Sequence, residues 1–240
     1  MAGRAKEFID LYNEFKDLLS KKFNVPHDQE SFPPLILLAR DNHLINSREI
    51  PSLELIGRLR NAIIHDSKHK YPDDPIAEPH ADVIDKLRKI KERIEKPPLV
   101  EGLLKPELRV FKESDSFLEC LAYMHQKDYS QVIVSLGKRY GVLTREDVAR
   151  WFEEHIENKE ICLSLENITL QDIFPVIEEA SCVFLERDAV LQKLVDLFTE
   201  TRKEKISAVL ITAHGNASEK PLTIVTQYDL PEIVKKIGTL

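Results

Sequence analysis

The sequence predicts an α+β protein, in which an all-helical N-terminal bundle is followed by two β-α-β-β-α repeats. Apolar residues in the first part recur with the 3.6-residue period of amphipathic helices, whereas the second part contains short β-rich runs between turn residues. The second part also repeats itself at an offset of 73 residues, from Val110 to Val183. Pro97 and Pro98 separate the two parts, because proline cannot continue a helix.

Four helices are expected before the double proline. Apolar spacing of i, i+3, i+4 and i+7 predicts them over residues 5–22, 32–45, 52–65 and 79–96. Ser52 is the expected N-cap of the third helix, because its hydroxyl can accept a backbone N–H bond there. In this interpretation residues 1–97 form a helical bundle and residues 98–240 form a second domain.

Composition and charge exclude several classes of protein. The net charge is −7, and all of it lies beyond Pro98, because the first 98 residues contain 17 basic and 17 acidic side chains. Neither part has the basic excess of a protein that tracks nucleic-acid phosphates. Three widely spaced cysteines without a C-x-x-C pair indicate buried thiols in a reducing compartment, and we expect no metal site. Without a membrane-spanning run or a signal peptide, a cytoplasmic protein is expected.

The C-terminal part contains two copies of one pattern, at about 99–160 and 161–240. Residues 110–124, VFKESDSFLECLAYM, align with residues 183–197, VFLERDAVLQKLVDL, and their apolar positions coincide. A β-rich run, a closing strand and a helix start follow in each copy, at 131–134 and 141–147 (GVLTRED) in the first and at 208–212 and 223–229 (TIVTQYD) in the second.

Each closing segment ends in a Thr that is followed three residues later by an Asp at a helix start. The pairs are Thr144 with Asp147 and Thr226 with Asp229. Two interpretations remain open. The hydroxyl and the carboxylate can cap the helix by accepting backbone N–H bonds. They can equally hold the ribose and phosphate of a nucleotide, because the N-terminus of a helix favours anions.

The third predicted helix ends in Arg60-Asn61-Ala-Ile-Ile-His65. Asn61 and His65 lie four residues apart and share a helix face, which Arg58 joins from seven residues before His65. Arg60 reaches the same place only through the length of its side chain. The simple interpretation is a His that interacts with the C-terminal end of the helix dipole, beside a solvated Arg.

This helix end also resembles the Arg-x(4 to 6)-His signature of HEPN domains, in which an Asn, Asp or His commonly follows the Arg. The resemblance covers about the first 97 residues. It implies a metal-independent endoribonuclease whose site forms where two copies meet in a homodimer, with RNA as the partner. In such a site His65 would act as acid or base at the ribose 2′-OH, Arg60 would hold the scissile phosphate, and Asn61 would position either group.

The repeated pattern resembles a tandem pair of CBS domains over residues 99–240. The resemblance implies one pseudo-twofold module with two clefts for an adenine nucleotide (AMP, ADP, ATP or a cyclic dinucleotide) and no other required cofactor. Carried over by position, the contacts are Val132, Val134, Gly141, Thr144, Arg145 and Asp147 in one cleft, and Val209, Ile211, Thr226 and Asp229 in the other. Thr223 replaces Gly141 in the second copy, whose turn also carries less positive charge. We therefore expect the Thr144/Asp147 cleft to be the better one.

The sequence is consistent with two nucleotide-dependent functions and with one purely structural role. In the first, nucleotide binding by the repeats controls a ribonuclease site in the helical part by shifting an equilibrium between two states. In the second, the protein is a non-enzymatic nucleotide-binding regulator, and its helical part only dimerises or docks a partner. A structural scaffold with two capped repeats is a third and simpler interpretation.

Overall fold

A computed structural model describes residues 3–26, 31–66, 77–104, 107–157, 160–161, 164–178, 182–199 and 206–238. The chain divides into two compact units. The first, called the helical unit, comprises Met1–Pro98, Val190–Asp196 and Val234–Leu240, and the second, called the sheet unit, comprises Leu99–Ala189 and Leu197–Ile233. Two short segments of the second repeat therefore group with the N-terminal helices.

The helical unit contains the four expected helices. They are α1 (Arg4–Phe23), α2 (Phe32–Asp41), α3 (Ile50–Asp66) and α4 (Ala81–Glu95). Each helix turns one apolar face inward, because only that face has the helical period of buried residues. The centre of the resulting core consists of Phe8, Phe15, Leu19, Leu35, Ile36, Leu53, Ile63, Leu87, Ile90 and Ile94.

Two predicted helix ends were wrong. The second helix ends at Asp41 and not at residue 45, because His43 has a left-handed backbone with a φ of 57° that interrupts the helical hydrogen bonds. The third helix begins two residues before Ser52. A 3₁₀ turn (Ser47–Glu49) precedes it, and there the side chains of Asn46 and Glu49 form a capping box. The Ser52 hydroxyl instead accepts a hydrogen bond from Lys86 Nζ at 2.9 Å.

The first repeat has the predicted order of elements. It consists of β1 (Val110–Lys112), α5 (Phe117–Gln126), β2 (Gln131–Ser135), β3 (Tyr140–Thr144) and α6 (Arg145–Glu154). Strand β1 pairs with β2 in parallel, and β2 pairs with β3 in antiparallel fashion. The connection from β1 to β2 needs helix α5, because parallel neighbours cannot be joined by a tight turn.

A short hairpin and a short helix lead from the first repeat to the second. The hairpin strands are β4 (Ile156–Glu157) and β5 (Glu160–Ile161), and the helix is α7 (Phe174–Glu178). The 3₁₀ turn before α7 is capped by Thr169 and Asp172.

The second repeat has the same order and the same strand directions. Its elements are β6 (Cys182–Glu186), α8 (Leu191–Thr199), β7 (Ala208–Thr212), β8 (Thr223–Val225) and α9 (Leu230–Ile237). Strand β6 is parallel to β7, which is antiparallel to β8. The predicted α+β fold class, with two β-α-β-β-α repeats, is therefore confirmed.

The two three-stranded sheets pack against each other inside the sheet unit. Ile133 and Val142 of the first sheet form a buried cluster with Ala208 and Leu210 of the second. Two hydrogen bonds also join the repeats: Tyr140 N donates to the Ala217 carbonyl, and Gln131 Nε2 donates to the Ser207 carbonyl. This packing fixes the position of the two sheets relative to each other, and a cleft lies between their edges.

Cys120 and Cys182 are free thiols, and burial raises the pKa of Cys120 to about 12. Such a thiol stays protonated at neutral pH and behaves as a small apolar residue. Cys162 lies outside the described residues. Among the helices that the structure describes, none is long and apolar enough to cross a membrane.

Candidate functional site

A cleft of about 530 Å³ opens in the sheet unit, and both repeats line it. The first repeat contributes the segment before β1, the end of α5 and the start of β2. The second repeat contributes β8 and the turn that follows it. The lining residues are Glu107, Leu108, Arg109, Tyr123, Asp128, Tyr129, Ser130, Gln131, Val132, Ile133, Arg145, Thr223, Ile224, Thr226, Tyr228 and Asp229.

Thr226 and Asp229 form one wall of this cleft. Asp229 Oδ2 accepts hydrogen bonds from Thr226 N at 2.8 Å and from Thr226 Oγ1 at 3.0 Å. The Thr226 hydroxyl also accepts a bond from Tyr228 N at 3.3 Å. The second carboxylate oxygen, Asp229 Oδ1, has no hydrogen bond to any residue that the structure describes. Asp229 is half-buried, and its Oδ1 can accept the two hydroxyl protons of a ribose.

Two arginines supply the positive charge of the cleft. The guanidinium of Arg109 lies 4.2 Å from the ring centre of Phe111 and 4.6 Å from that of Tyr123. A guanidinium whose planar face contacts an aromatic ring still has the N–H groups at its edge, which can donate hydrogen bonds to a ligand. Arg145, the first residue of α6, donates from Nη2 to Asp128 Oδ1 at 3.0 Å. Burial raises the pKa of the Tyr123 phenol, which therefore stays neutral at physiological pH.

The pair expected to make the better site, Thr144 and Asp147, does not line this cleft. Both side chains are almost completely buried, with 8% and 4% of their surface exposed. Asp147 Oδ2 accepts bonds from Thr144 N at 2.9 Å and from Thr144 Oγ1 at 2.7 Å, while Thr144 Oγ1 accepts from Asp147 N at 3.0 Å. This is a closed capping box at the start of α6. The structure thus places the first copy's pair in a buried helix cap, and the expectation that Thr144 and Asp147 make the better nucleotide site stays a prediction.

Of the other residues predicted for the clefts, some line this cleft and others lie in the hydrophobic core. Val132 and Arg145 line the cleft. Val134, Val209 and Ile211 are fully buried core residues, because strands β2 and β7 lie at the centres of their sheets. Gly141 is also buried. A Cβ atom there would lie 2.8 Å from Leu136 Cδ1 and 3.1 Å from Ile177 Cγ2, so the missing side chain makes room for core packing.

Several cleft residues were not predicted from the sequence. Arg109 and Tyr129 stand outside the Thr-x-x-Asp segments, and their sequence neighbourhood carries no motif. Asp128 has a left-handed φ of 52°, which Asp tolerates better than most residues, so its position after a helix was the one available signal.

A second cleft, of about 480 Å³, lies in the helical unit. Its lining consists of Tyr12, Asn13, Lys16, Ser31, Phe32, Pro33, Glu54, Gly57, Arg58, Arg60 and Asn61. Arg60 Nη1 donates to Asn61 Oδ1 at 3.2 Å, and its guanidinium lies 5.5 Å from the Tyr12 ring centre. The Nε atom of Arg60 is buried and has no hydrogen-bond partner among the described residues.

The predicted Arg60 and Asn61 therefore share a cleft with Arg58. The backbone of His65 lies in the last turn of α3, and its side chain falls outside the described residues. Burial raises the pKa of the Tyr12 phenol, although the Arg60 charge partly opposes this effect. Among the described residues, no group of three or more His, Cys, Asp or Glu side chains is placed to hold a metal ion.

The first repeat is similar to a known domain family. Residues 100–154 match the family model of the CBS domain. The match covers the first repeat from just before β1 to the end of α6, so the predicted CBS domain is confirmed there. The second repeat has the same order of elements and the same strand directions. No curated protein matches the sequence significantly.

Solved structures that contain CBS domains also match this chain, over more than half of its length. The CBS domain pair of the protein MJ0100, solved with 5′-methylthioadenosine and S-adenosyl-L-methionine, is 15% identical, with 58% of this chain and 98% of that chain covered and a TM-score of 0.39. CBSX2, solved with AMP, is 18% identical, with 59% and 98% covered and a TM-score of 0.41. A CBS domain-containing protein from Bacillus anthracis is 11% identical, with 57% and 93% covered and a TM-score of 0.41.

Proposed function

We propose that this protein is a regulator whose CBS repeats bind an adenine nucleotide in the cleft of the sheet unit. One observation carries the proposal: Asp229 presents an uncommitted carboxylate oxygen, Oδ1, beside Thr226 in a cleft that also contains two arginines. Asp229 would accept the ribose hydroxyls, and the N–H groups at the start of the helix would favour the phosphate. The base would lie against the backbone of Val132 and Ile133, with the Tyr228 ring available to cover it.

The arginines complete this arrangement. Arg109 is held by two aromatic rings, so its guanidinium is already oriented before a ligand arrives. Arg145 begins helix α6 and lies on the same lining. A phosphate that meets a guanidinium in a partly closed cleft gains charge-assisted hydrogen bonds. Adenosine, AMP, ADP and ATP all carry the ribose diol that this Asp229 contact uses, whereas a 3′,5′-linked cyclic dinucleotide keeps only the 2′-hydroxyl.

Thermal unfolding in the presence of each nucleotide tests the proposal. A ligand at 100 times its Kd should stabilise the protein by about 2.7 kcal/mol. Asp229→Ala should abolish that stabilisation. Asp172→Ala is the matched control, because Asp172 closes a similar capping box with Thr169 outside the cleft, with both bonds at 2.9 Å. The proposal is wrong if no nucleotide stabilises the protein, or if Asp229→Ala binds as well as the natural chain.

We further propose that the helical unit carries the effector, an endoribonuclease site of the HEPN type built from Arg60, Asn61 and His65 in a homodimer. The favouring observation is that Arg58, Arg60 and Asn61 line one cleft and that Arg60 Nε is buried without a partner among the described residues. Charge-assisted hydrogen bonds from the guanidinium groups of Arg58 and Arg60 would hold an RNA phosphate in this cleft. Nucleotide binding to the repeats would then change the rate of cleavage.

Incubation of the purified protein with mixed RNAs, with and without each nucleotide, tests the effector. His65→Ala should remove cleavage, whereas His80→Ala should not, because His80 is an exposed residue just before α4. Equal cleavage by the His65→Ala variant would assign the activity to a contaminant. Nucleotide binding without any cleavage would favour the non-enzymatic regulator, whose helical unit only dimerises or docks a partner. Analytical ultracentrifugation gives the oligomeric state in either case.

A further inference from the structure

The residues that line the cleft of the sheet unit carry a negative net formal charge. Five of its lining residues are charged, namely Glu107, Arg109, Asp128, Arg145 and Asp229, so acidic groups outnumber basic ones by three to two. The wall from the second repeat consists of Thr223, Ile224, Thr226, Tyr228 and Asp229 and contributes no basic residue. A ligand with several negative charges therefore meets a lining whose formal charge is itself negative.

One of the two arginines already has a carboxylate partner. Arg145 Nη2 lies 3.0 Å from Asp128 Oδ1, and both residues line the cleft. Both side chains are largely exposed, with 54% and 94% of their surface accessible, so Asp128 reaches into the space beside the guanidinium. A phosphate that approaches Arg145 must displace this carboxylate or lie against it. Either event costs free energy through repulsion between like charges.

Arg109 is the other basic group, and its partners are different. Its guanidinium lies over the adjacent rings of Phe111 and Tyr123, which carry no charge at neutral pH. Among the described residues, Arg109 forms no ion pair with a carboxylate, so its guanidinium offers one positive charge to a ligand. One positive charge can pair with one phosphate group or with the carboxylate of an adenosyl amino acid. It cannot balance the several negative charges of a triphosphate.

We infer that this cleft selects adenine ligands with at most one phosphate group and that Asp128 is the residue that disfavours polyphosphates. The inference rests on the proposed function, because it concerns the same cleft and the same class of ligand. It narrows that class to adenosine, AMP and adenosyl compounds of low net charge. Asp128 acts here on specificity, since the Asp229 contact to the ribose is common to adenosine, AMP, ADP and ATP.

Asp128→Asn is the sharpest variant for a test. Asn tolerates the left-handed φ of 52° at this position and keeps an oxygen for the Arg145 hydrogen bond, so only the charge changes. Glu146→Gln is the matched control. It removes the same charge from the residue next to Arg145, but Glu146 is exposed on α6 and does not line the cleft.

Isothermal titration of the full chain with adenosine, AMP, ADP and ATP, in EDTA without magnesium, measures the selectivity. The natural chain should bind AMP about ten times more tightly than ATP. Asp128→Asn should strengthen ATP binding about fivefold and AMP binding by a smaller factor. This difference between the two ligands should shrink in 0.5 M salt, because salt screens exposed charges and the screening length is already about 10 Å at 0.1 M. Glu146→Gln should keep the natural ratio.

Three results of this titration would contradict the inference, the role of Asp128 or the proposed function. ATP binding as tight as AMP binding by the natural chain would overturn the inference and leave the proposed function intact. An unchanged AMP-to-ATP ratio in Asp128→Asn would remove the role of Asp128. Failure of all four ligands to bind would contradict the proposed function itself, and the inference would fall with it.

Discussion

The Thr144 hydroxyl donates to Asp147 Oδ2 at 2.7 Å, and the two side chains are buried together beneath the start of helix α6. The equivalent bond in the second repeat, from Thr226 Oγ1 to Asp229 Oδ2, measures 3.0 Å and lies on the wall of an open cleft. The same four-residue pattern thus forms a capping box in both copies, buried in the first and open to the cleft in the second. The two positions should respond differently to substitution.

Replacement of each Thr by Ala separates capping from ligand binding. Thr144→Ala should lower the free energy of unfolding by about 1–2 kcal/mol, the cost of a lost N-cap, and should leave nucleotide affinity unchanged within about twofold. Thr226→Ala should cost less stability, because its surroundings are more exposed, and should weaken nucleotide binding about tenfold. Urea denaturation and calorimetric titration measure the two effects. Thr169→Ala controls for capping outside the cleft, and equal losses of affinity in Thr144→Ala and Thr226→Ala would contradict the prediction.

Gly141→Ala should destabilise the sheet unit. The added Cβ would approach Leu136 Cδ1 at 2.8 Å and Ile177 Cγ2 at 3.1 Å, so the core must shift to accept it. Overpacking of this kind costs about 1–3 kcal/mol, which urea denaturation detects. Gly102→Ala is the control, because a Cβ atom there meets no heavy atom within 4 Å. Equal stability of the Gly141→Ala variant and the natural chain would show that the glycine is not required for packing.

Loss of the ion pair between Glu49 and Arg93 should strongly destabilise the helical unit. Arg93 Nη2 contacts Glu49 Oε1 at 2.8 Å and Oε2 at 2.7 Å, and only 13% and 10% of the Glu49 and Arg93 side chains are exposed. Glu49→Gln would leave the Arg93 charge buried without a counter-charge, at a cost of about 3 kcal/mol in the free energy of unfolding.

The comparison for this pair is Glu7→Gln, which breaks the exposed pair of Glu7 with Arg88. That change should cost less than about 1 kcal/mol, because water screens exposed charges. Chemical denaturation of both variants gives the difference. Similar losses in the two variants would mean that burial does not strengthen the Glu49–Arg93 pair.

Glu219, in the long turn of the second repeat, should stay ionised in unusually acidic solution. Hydrogen bonds from the Asn216 side chain and the His214 backbone N–H lower its pKa from 4.5 to about 2. Since the folded-state pKa is depressed, the carboxylate stabilises the fold above about pH 4.5, and that contribution is lost as the pH falls from there through about 2. Carbon-detected NMR titration of the Glu219 carboxyl gives the midpoint directly.

Asn216→Ala removes the largest cause of this shift, so the midpoint should rise toward 4.5. Ser218→Ala, in the same turn, should leave the midpoint where it is. A natural midpoint near 4.5, or no response to Asn216→Ala, would show that the turn does not hold the carboxylate in this way.

Much of this architecture was readable from the sequence because it depends on local periodicity. The four helices and the repeated β-α-β-β-α order both follow from neighbours within a few residues. The errors at residue 45 and at Ser52 came from competing local signals. A left-handed His43 ended one helix early, and the Asn46–Glu49 box began the next one before Ser52.

The cleft could not be read in the same way, because it forms where segments distant in sequence meet. Sequence alone determined that Thr144 and Asp147, and Thr226 and Asp229, stand at helix starts. Only the tertiary structure decided that core packing buries the first pair, while the second pair faces Arg109 and Arg145 from the other repeat. Burial depends on which side chains pack above a residue, and no local pattern records that.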